Sequence, residues 1–467
     1  GKYNFINHSF KLFVIEFIHL MHLKMFSINR YKEILLIALP IMAGMLSQNL
    51  IQITNTAFLG RLGEEALGVS AMGGLFYMLL SVLSWGFGSG TQILVARRLG
   101  EKKLTEIGSL MFHNTIIMLA YAIFAFLIMI YVAPLFMPRI VHSQAVSDDS
   151  ISFLKYRSIG IFITVLISNI NAFYVGLGRT KVLMYSTLTT AIINIFLDYA
   201  LIFGHFGMPE LKTDGAAIAS VIAELAGLMV LIYNLRLHQY MKRFQFSFSI
   251  KLQKEKFVQL LSLSFPLVFQ FSFSFGAWYV FFIVLENMGE QKVAIANIMR
   301  SILFLFTISC WAIGSSCNTL VSNKIGKKKL DEVIGTIKNA ATLSFFISLI
   351  LAIVLIIFAK QIMQVYTSDV ALIDGAIQPL FMLAFCIVLL SISTVMFQGV
   401  QGTGNTMFNL LVEFVSITFY LIYVLYFVKR LNLSLTLAWA SEIFYWTVIL
   451  IMSYWYLKSG KWRNKVL

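Results

Sequence analysis

Apolar residues fall in runs of about 20, separated by short stretches that hold most of the charged residues. Each run is long enough to cross a hydrocarbon core of about 30 Å. A crossing segment must satisfy its own backbone hydrogen bonds, so these runs are expected to be helices. The pattern predicts twelve spans. They lie near 34–58, 71–96, 109–132, 152–175, 182–204 and 215–236, then near 258–285, 295–322, 334–358, 374–398, 407–428 and 434–457. The expected fold is an all-α integral membrane protein with two pseudo-symmetric six-helix lobes. The lobes occupy 34–236 and 257–458, joined by a linker at 237–256. Residues 1–33 form an N-terminal extension and 459–467 a tail.

The two sets of spans repeat at an offset of 226 residues, without a gap. Pro40 returns as Pro266, Gly63 as Gly289, Trp85 as Trp311, Gly88 as Gly314 and Gly100 as Gly326. The run Lys102, Lys103, Leu104 returns as Lys328, Lys329, Leu330. Gly176, Gly178 and Thr180 return as Gly402, Gly404 and Thr406. A duplicated hydropathy pattern in a membrane chain points to a transporter with a site between its halves.

Composition agrees: 59% of residues are hydrophobic and 12% charged, against about 25% charged in a soluble domain. The net charge of +15 comes mostly from basic residues that crowd alternate loops, which argues against nucleic acid. Arg97, Arg98, Lys102 and Lys103 lie on one side with Arg179, Lys181, the linker, Lys324, Lys327 to Lys329 and the tail. Asp148, Asp149, Asp214 and Asp369 lie on the other. The positive-inside rule makes the basic side and both termini cytoplasmic. Phe244, Phe246 and Phe248 alternate with polar residues in the linker, which predicts either a stretch along the membrane surface or a short solvated loop. Segment 1–24 is too broken to span and lacks a cleavage site, so neither an anchor nor a signal peptide is expected. Cys310, Cys317 and Cys386 fall inside spans and are expected to be buried thiols. His113 is expected to be a packed or cavity-facing imidazole, and the His spacing suggests no metal site.

Charges inside spans are costly, about 2.5–3.5 kcal/mol each on insertion scales, and so mark candidate sites. Asp198 lies mid-span, four residues after Asn194, so both share one helix face. The pair suits either Na⁺ or a proton; the alternative is a structural Asp bonded to a neighbouring helix. Glu224, Glu413 and Glu442 are the other intramembrane acids. Glu413 and Glu442 either make a separate C-lobe site or pair with a cation such as Arg300. Gln48, Gln52 and Asn55 form a polar stripe at helical spacing. Gln270 and Ser274 form a shorter one, flanked by Phe269, Phe271, Phe273, Phe275, Trp278 and Tyr279. Aromatic rings beside sparse polar groups suit organic cations, although at least half of the Phe residues are expected to face lipid or pack. Pro40 and Pro266 each break a helix hydrogen bond and are candidate bending points.

Several motifs recur in order: Gly60-Arg61-Leu62-Gly63, Gly176-Leu177-Gly178-Arg179-Thr180, Asn194 with Asp198, Asp214-Gly215-Ala216-Ala217, and Gly402-Thr403-Gly404-Asn405-Thr406. With the repeat, from about residue 30 onward, they resemble the MATE (multidrug and toxic compound extrusion) family. The resemblance implies alternating access between two six-helix lobes, and antiport of drugs or metabolites against H⁺ or Na⁺. It implies an ion-coupling set of Asp198, Asn194, Ser220 and Asn55, where the family has an acid in place of Asn55. The C-lobe acids of sodium-coupled members correspond to Ser274 and Leu390, so that site is missing here. No cofactor is expected beyond the coupling ion, and no metal beyond Na⁺ at Asp198. Further expectations are a small-molecule substrate, a monomer in the lipid bilayer, a bacterial cytoplasmic membrane and no enzymatic activity. The second reading is a lipid-linked saccharide flippase, which the scarcity of intramembrane Arg and Lys disfavours. A major-facilitator transporter and an intramembrane enzyme fit less well, since the basic signature of the first and the catalytic pair of the second are not evident.

Overall fold

The computed structural model describes residues 28–141, 143–246, 251–431 and 433–465. The helical architecture lies almost wholly in one compact unit, Ile34–Leu467. The expectations for segment 1–24 and for Phe248 fall outside the described residues.

Twelve helices among the described residues are long and apolar enough to span. They are α1 (Ile28–Leu62), α2 (Glu64–Gly100), α3 (Leu104–Ile140), α4 (Gln144–Gly176), α5 (Lys181–Phe203) and α6 (Lys212–Leu237). The second set is α7 (Lys254–Glu286), α8 (Glu290–Gly326), α9 (Asp331–Ile357), α10 (Val370–Gly402), α11 (Thr406–Arg430) and α12 (Leu435–Ser459). Most outrun the predicted spans. The apolar pattern marks only the part in hydrocarbon, whereas a helix continues into polar surroundings until its carbonyls are capped. Past Leu127, α3 continues through a π-turn at Ile128–Val132 into Ala133–Ile140.

The repeat is structural. Both α2 and α8 have 37 residues, and both α4 and α10 have 33. Gly63 and Gly289 take φ of 116° and 100° between the first two helices of each lobe. Such values favour glycine because a Cβ would clash there. Lys102 and Lys328 take φ of 61° and 60° at matching turns. Side chains at Gly176 and Gly402 would collide with Val95 and Gln92 O, and with Val321 and Asn318 O, respectively. The two sets of obstructions are equivalent under the offset. The glycine motifs therefore exist because α4 must approach α2, and α10 must approach α8, with nothing between the backbones.

The lobes meet along α2, α7 and α8. Gly86 packs against the Val268 backbone and Gly90 against Ser264. At the basic end a Cβ at Gly100 would strike Asn323 O, and one at Gly326 would strike Arg97 O. Residues 97 and 323 are themselves equivalent, so this end of the seam is self-complementary about a pseudo-two-fold axis. Polar ties reinforce it: Gln92 donates to Thr319 Oγ1 (2.9 Å), Ser322 to Ile93 O (2.7 Å), Asn323 to Ala96 O (3.1 Å) and Arg97 to Thr403 O (3.0 Å). Away from that end close contacts of this kind are not continued among the described residues. Gly74 and Gly276 face open space, and Leu75, Met78 and Leu79 are exposed. Arg97 and Arg98 are buried, the former in the seam and the latter paired with Glu101 (2.6 Å) and Glu106 (2.9 Å). These two cations thus brace the fold as well as adding to the loop charge.

The linker corrects one expectation. Phe244 is buried and Phe246 packs with it, both edge-on to Phe173 with centroids at 5.3 Å. They are core residues beneath α3 and α4, in place of a surface stripe or a solvated loop. His113 helps to hold the linker: its Nδ1 lies 2.7 Å from Ser109 O, and its Nε2 accepts from Gln253 N at 2.9 Å. It is a packed imidazole, not a cavity group. Cys310, Cys317 and Cys386 are buried free thiols.

Replacing Gly100 or Gly326 by Val forces the seam open at its basic end. Overpacking of this kind costs about 1–3 kcal/mol. Thermal unfolding of the purified protein in detergent should record a loss for each, with Gly335→Val, which faces open space, as the control that leaves stability unchanged.

Candidate functional site

The N-lobe site is built on α5. Asn194 and Asp198 lie one turn apart and are buried at 1% and 0% exposure, so both point into the lobe and not into lipid. The adjoining helices supply amide and hydroxyl groups. From α6, Ser220 Oγ accepts from Asn194 Nδ2 at 3.4 Å. From α1, the Asn55 amide, turned so that both of its atoms are satisfied, donates to Asp198 Oδ2 and lies 3.2 Å from Asn194 Oδ1 and from Ile51 O. The structure thus brings the four predicted ion-coupling residues into one cluster. Asp198 Oδ1 is buried and has no partner. The chemistry fits a small cation: an acid, an amide carbonyl and a hydroxyl oxygen belong to one hydrogen-bonded cluster, and one carboxylate oxygen remains free. Hard monovalent and divalent cations prefer such oxygen donors, and a proton needs only the free carboxylate oxygen.

One turn beyond Ser220, Glu224 faces the same lobe interior. It is ion-paired with Arg157 of α4. Thr164 donates to its other oxygen at 3.0 Å. The guanidinium sits 4.1 Å from the centroid of the Tyr77 ring, and Tyr77 Oη lies 2.8 Å from Thr164 Oγ1. Sequence reasoning missed Arg157, Tyr77 and Thr164. Arg157 lies near the mouth of the predicted fourth span, where a cation is unremarkable; the signal was its position i+2 from Lys155 in an otherwise apolar helix.

In the C-lobe, Glu413 is buried and accepts from Ser274 (2.5 Å) and from Tyr445 Oη (2.5 Å). Glu442, also buried, accepts from Trp446 Nε1 at 2.9 Å. Of the two alternatives for these acids, pairing with Arg300 is not found among the described residues. Arg300 instead lies over the rings of Trp278 (5.8 Å) and Phe282 (5.2 Å). The guanidinium delocalises its charge and is weakly hydrated, so aromatic faces satisfy it where a carboxylate is out of reach.

The predicted substrate residues are dispersed. Gln48 and Gln52 are exposed on α1, and Tyr279 is 60% exposed on α7. Gln270 is buried with Oε1 unpartnered, while Ser274 is engaged with Glu413. Trp278 packs on Phe282 and Phe304 and already carries the Arg300 cation. Pro40 and Pro266 each lie inside a continuous helix.

The MatE family profile matches the chain twice, at residues 40–200 and 266–427. The chain belongs to the MatE family. The two matches fall on the two lobes and begin at Pro40 and Pro266, the same pair that opens the repeat. Among curated relatives, the chain is 27% identical over 448 residues to the probable multidrug resistance protein NorM of Thermotoga maritima, covering 93% of this chain and 94% of that one. It is 23% identical over 347 residues to the protein of the same name from Listeria monocytogenes, covering 73% and 75%. Among solved structures, it resembles a MOP superfamily transporter from Pyrococcus furiosus with TM-score 0.85 and 19% identity, covering 94% of this chain and 97% of that one. An outward-facing multidrug resistance MATE transporter gives TM-score 0.82 and 19% identity, covering 93% and 97%. This MATE chain is therefore a multi-pass membrane transporter and not an enzyme.

The Glu413 geometry carries its own test. A double-mutant cycle between Ser274→Ala and Glu413→Gln, read by thermal unfolding, should give an interaction energy of about 0.5–3 kcal/mol, as for directly bonded partners. The same cycle between Ser274→Ala and Glu442→Gln should be additive.

Proposed function

We propose that this MATE transporter exports amphipathic, mainly cationic drugs or metabolites in exchange for H⁺ or Na⁺, with Asp198 as the coupling acid. The observation that carries the reading is the buried Asp198 carboxylate with one oxygen free, held by Asn55 and next to Asn194 and Ser220. An acid in hydrocarbon is expensive to keep charged, so gaining or losing a cation there changes which lobe arrangement is favoured. The names of the NorM relatives support multidrug efflux. The exposed apolar surface of α2 and α7 away from the basic end suits amphipathic compounds.

In this reading the basic ends face the cytoplasm, both termini with them, in the inner membrane of a bacterium. The lobes are joined at that end, so the arrangement is the outward-open one, and a monomer suffices for transport. Pro40 and Pro266 serve as bending points when the seam opens. The flippase reading gains nothing from Arg157, because Glu224 cancels its charge and leaves no basic cavity.

Asp198→Asn should abolish gradient-driven efflux of a fluorescent cation from vesicles, under either an imposed H⁺ or an imposed Na⁺ gradient, while expression stays at the wild-type level. Efflux at the wild-type rate would move the coupling site elsewhere. For orientation, single cysteines placed in 237–243, with the native three replaced, should react with an impermeant maleimide only in inverted vesicles. Reaction in intact cells would reverse the topology.

A further inference from the structure

We propose that the Arg157–Glu224 ion pair sets the charge capacity of the N-lobe polar cluster, so that it takes up one monovalent cation and no more. The proposal rests on Asp198 being the coupling acid. It adds the residues that fix how many charges that acid can exchange.

The pair belongs to the same buried polar cluster of the N-lobe as Asp198. Asn194, one turn from Asp198, reaches Ser220, and Glu224 stands one turn beyond Ser220 on α6. A Cβ at Gly160 would meet both Arg157 Nη1 (2.8 Å) and Val221 of α6 (3.1 Å), so the guanidinium lies beside the residue that follows Ser220. The titratable and charged groups of the cluster are thus Asp198 from α5, Glu224 from α6, Arg157 from α4 and the Tyr77 phenol from α2. Asn55, Asn194, Thr164 and Ser220 are neutral. One positive and two negative side chains leave a net charge of minus one. Asn55 contributes nothing where an acid would have made it minus two.

The pair is held in place. Arg157 is bound by Glu224 and stacked on Tyr77, Glu224 is bound by Arg157 and Thr164, and their side chains are only 12% and 20% exposed. Among the side chains of this cluster, two buried polar atoms lack hydrogen-bond partners, Arg157 Nη1 and Asp198 Oδ1. They are complementary, a donor and an acceptor of opposite charge. While Glu224 occupies the guanidinium, Asp198 keeps its free oxygen for a cation from outside. Without Glu224, Arg157 is the cation that Asp198 would bind, and the cluster would need none from solution. Without Arg157, two acids would share the cluster and call for two cations, since uncompensated charge in low dielectric is strongly disfavoured.

The charge account and a purely bracing role predict opposite outcomes. Purified wild type and variants in nanodiscs would be titrated with Na⁺ at alkaline pH, and with H⁺ in the absence of Na⁺, following heat and proton uptake. The two arms distinguish which cation uses the site. Wild type should bind one cation. Glu224→Gln should weaken binding at least about tenfold. Arg157→Gln should bind more tightly or bind two. The double variant Arg157→Gln/Glu224→Gln should return to one. Because Glu224→Gln leaves a buried cation unpaired and risks misfolding, Asn55→Asp is added to it. That variant restores a net charge of minus one without restoring the ion pair, and should recover binding; melting temperatures report folding throughout. Equal losses in Arg157→Gln and Glu224→Gln, with no recovery by Asn55→Asp, would overturn the proposal and leave the pair as a brace. Binding that survives Asp198→Asn in an otherwise wild-type chain would instead remove the reading on which the proposal rests.

Discussion

Charge cannot stand alone in hydrocarbon, and the polar interior of this chain is arranged around that constraint. Asp198 is surrounded by neutral amides and hydroxyls, Glu224 by a guanidinium and a hydroxyl, and Glu413 by two hydroxyls. Arg300 finds two aromatic faces. Glu224, Glu413 and Arg300 each find their partners within one lobe, while Asp198 keeps one carboxylate oxygen free. None of these interactions ties one lobe to the other; Arg97 is a buried charge that does bond across the seam, donating to Thr403 O. The ties across the seam are of another kind, hydroxyl, amide and guanidinium groups bonding to backbone carbonyls and hydroxyls. These groups all lie near one end of α2 and α8, where water can replace them when the seam opens.

The self-complementary contact of Gly100 with Asn323 and of Gly326 with Arg97 follows from duplication. Two copies of one helix that cross about a two-fold axis meet at the same residue, and that residue must be small. The glycines that recur in the sequence are thus of two kinds. Gly176 and Gly402 pack helices within a lobe, while Gly100 and Gly326 pack the lobes together. Under the proposed alternating access, the first kind would persist through the cycle and the second would separate.

Much of this was legible in the sequence, for physical reasons that differ between elements. Hydrocarbon thickness dictates run length, so all twelve helices could be read, but their ends could not, because α2 and α8 extend well past the apolar stretch. The offset of 226 pairs Gly63 with Gly289 and Lys102 with Lys328 in the sequence alone, since a turn needing positive φ is repeated when its sequence is. Asn194 and Asp198 were readable because helical spacing puts them on one face. Arg157 was not, because its meaning depends on Glu224, 67 residues away on another helix. Phe244 and Phe246 misled for the same reason: alternation describes a surface strand only when nothing covers it, and Phe173 does. The role of Glu413 was likewise hidden until Ser274 and Tyr445 were seen to converge on it.

The central claim is that one cation, exchanged at Asp198, is coupled to each export event. A reversal measurement in proteoliposomes tests it most directly. With the membrane potential clamped at zero and a neutral substrate, a coupling-ion gradient is imposed and the substrate gradient that gives no net flux is found. One-to-one exchange requires an ion gradient of about tenfold to be balanced by a substrate gradient of about tenfold. Balance at about a hundredfold would mean two cations per cycle and would contradict the account.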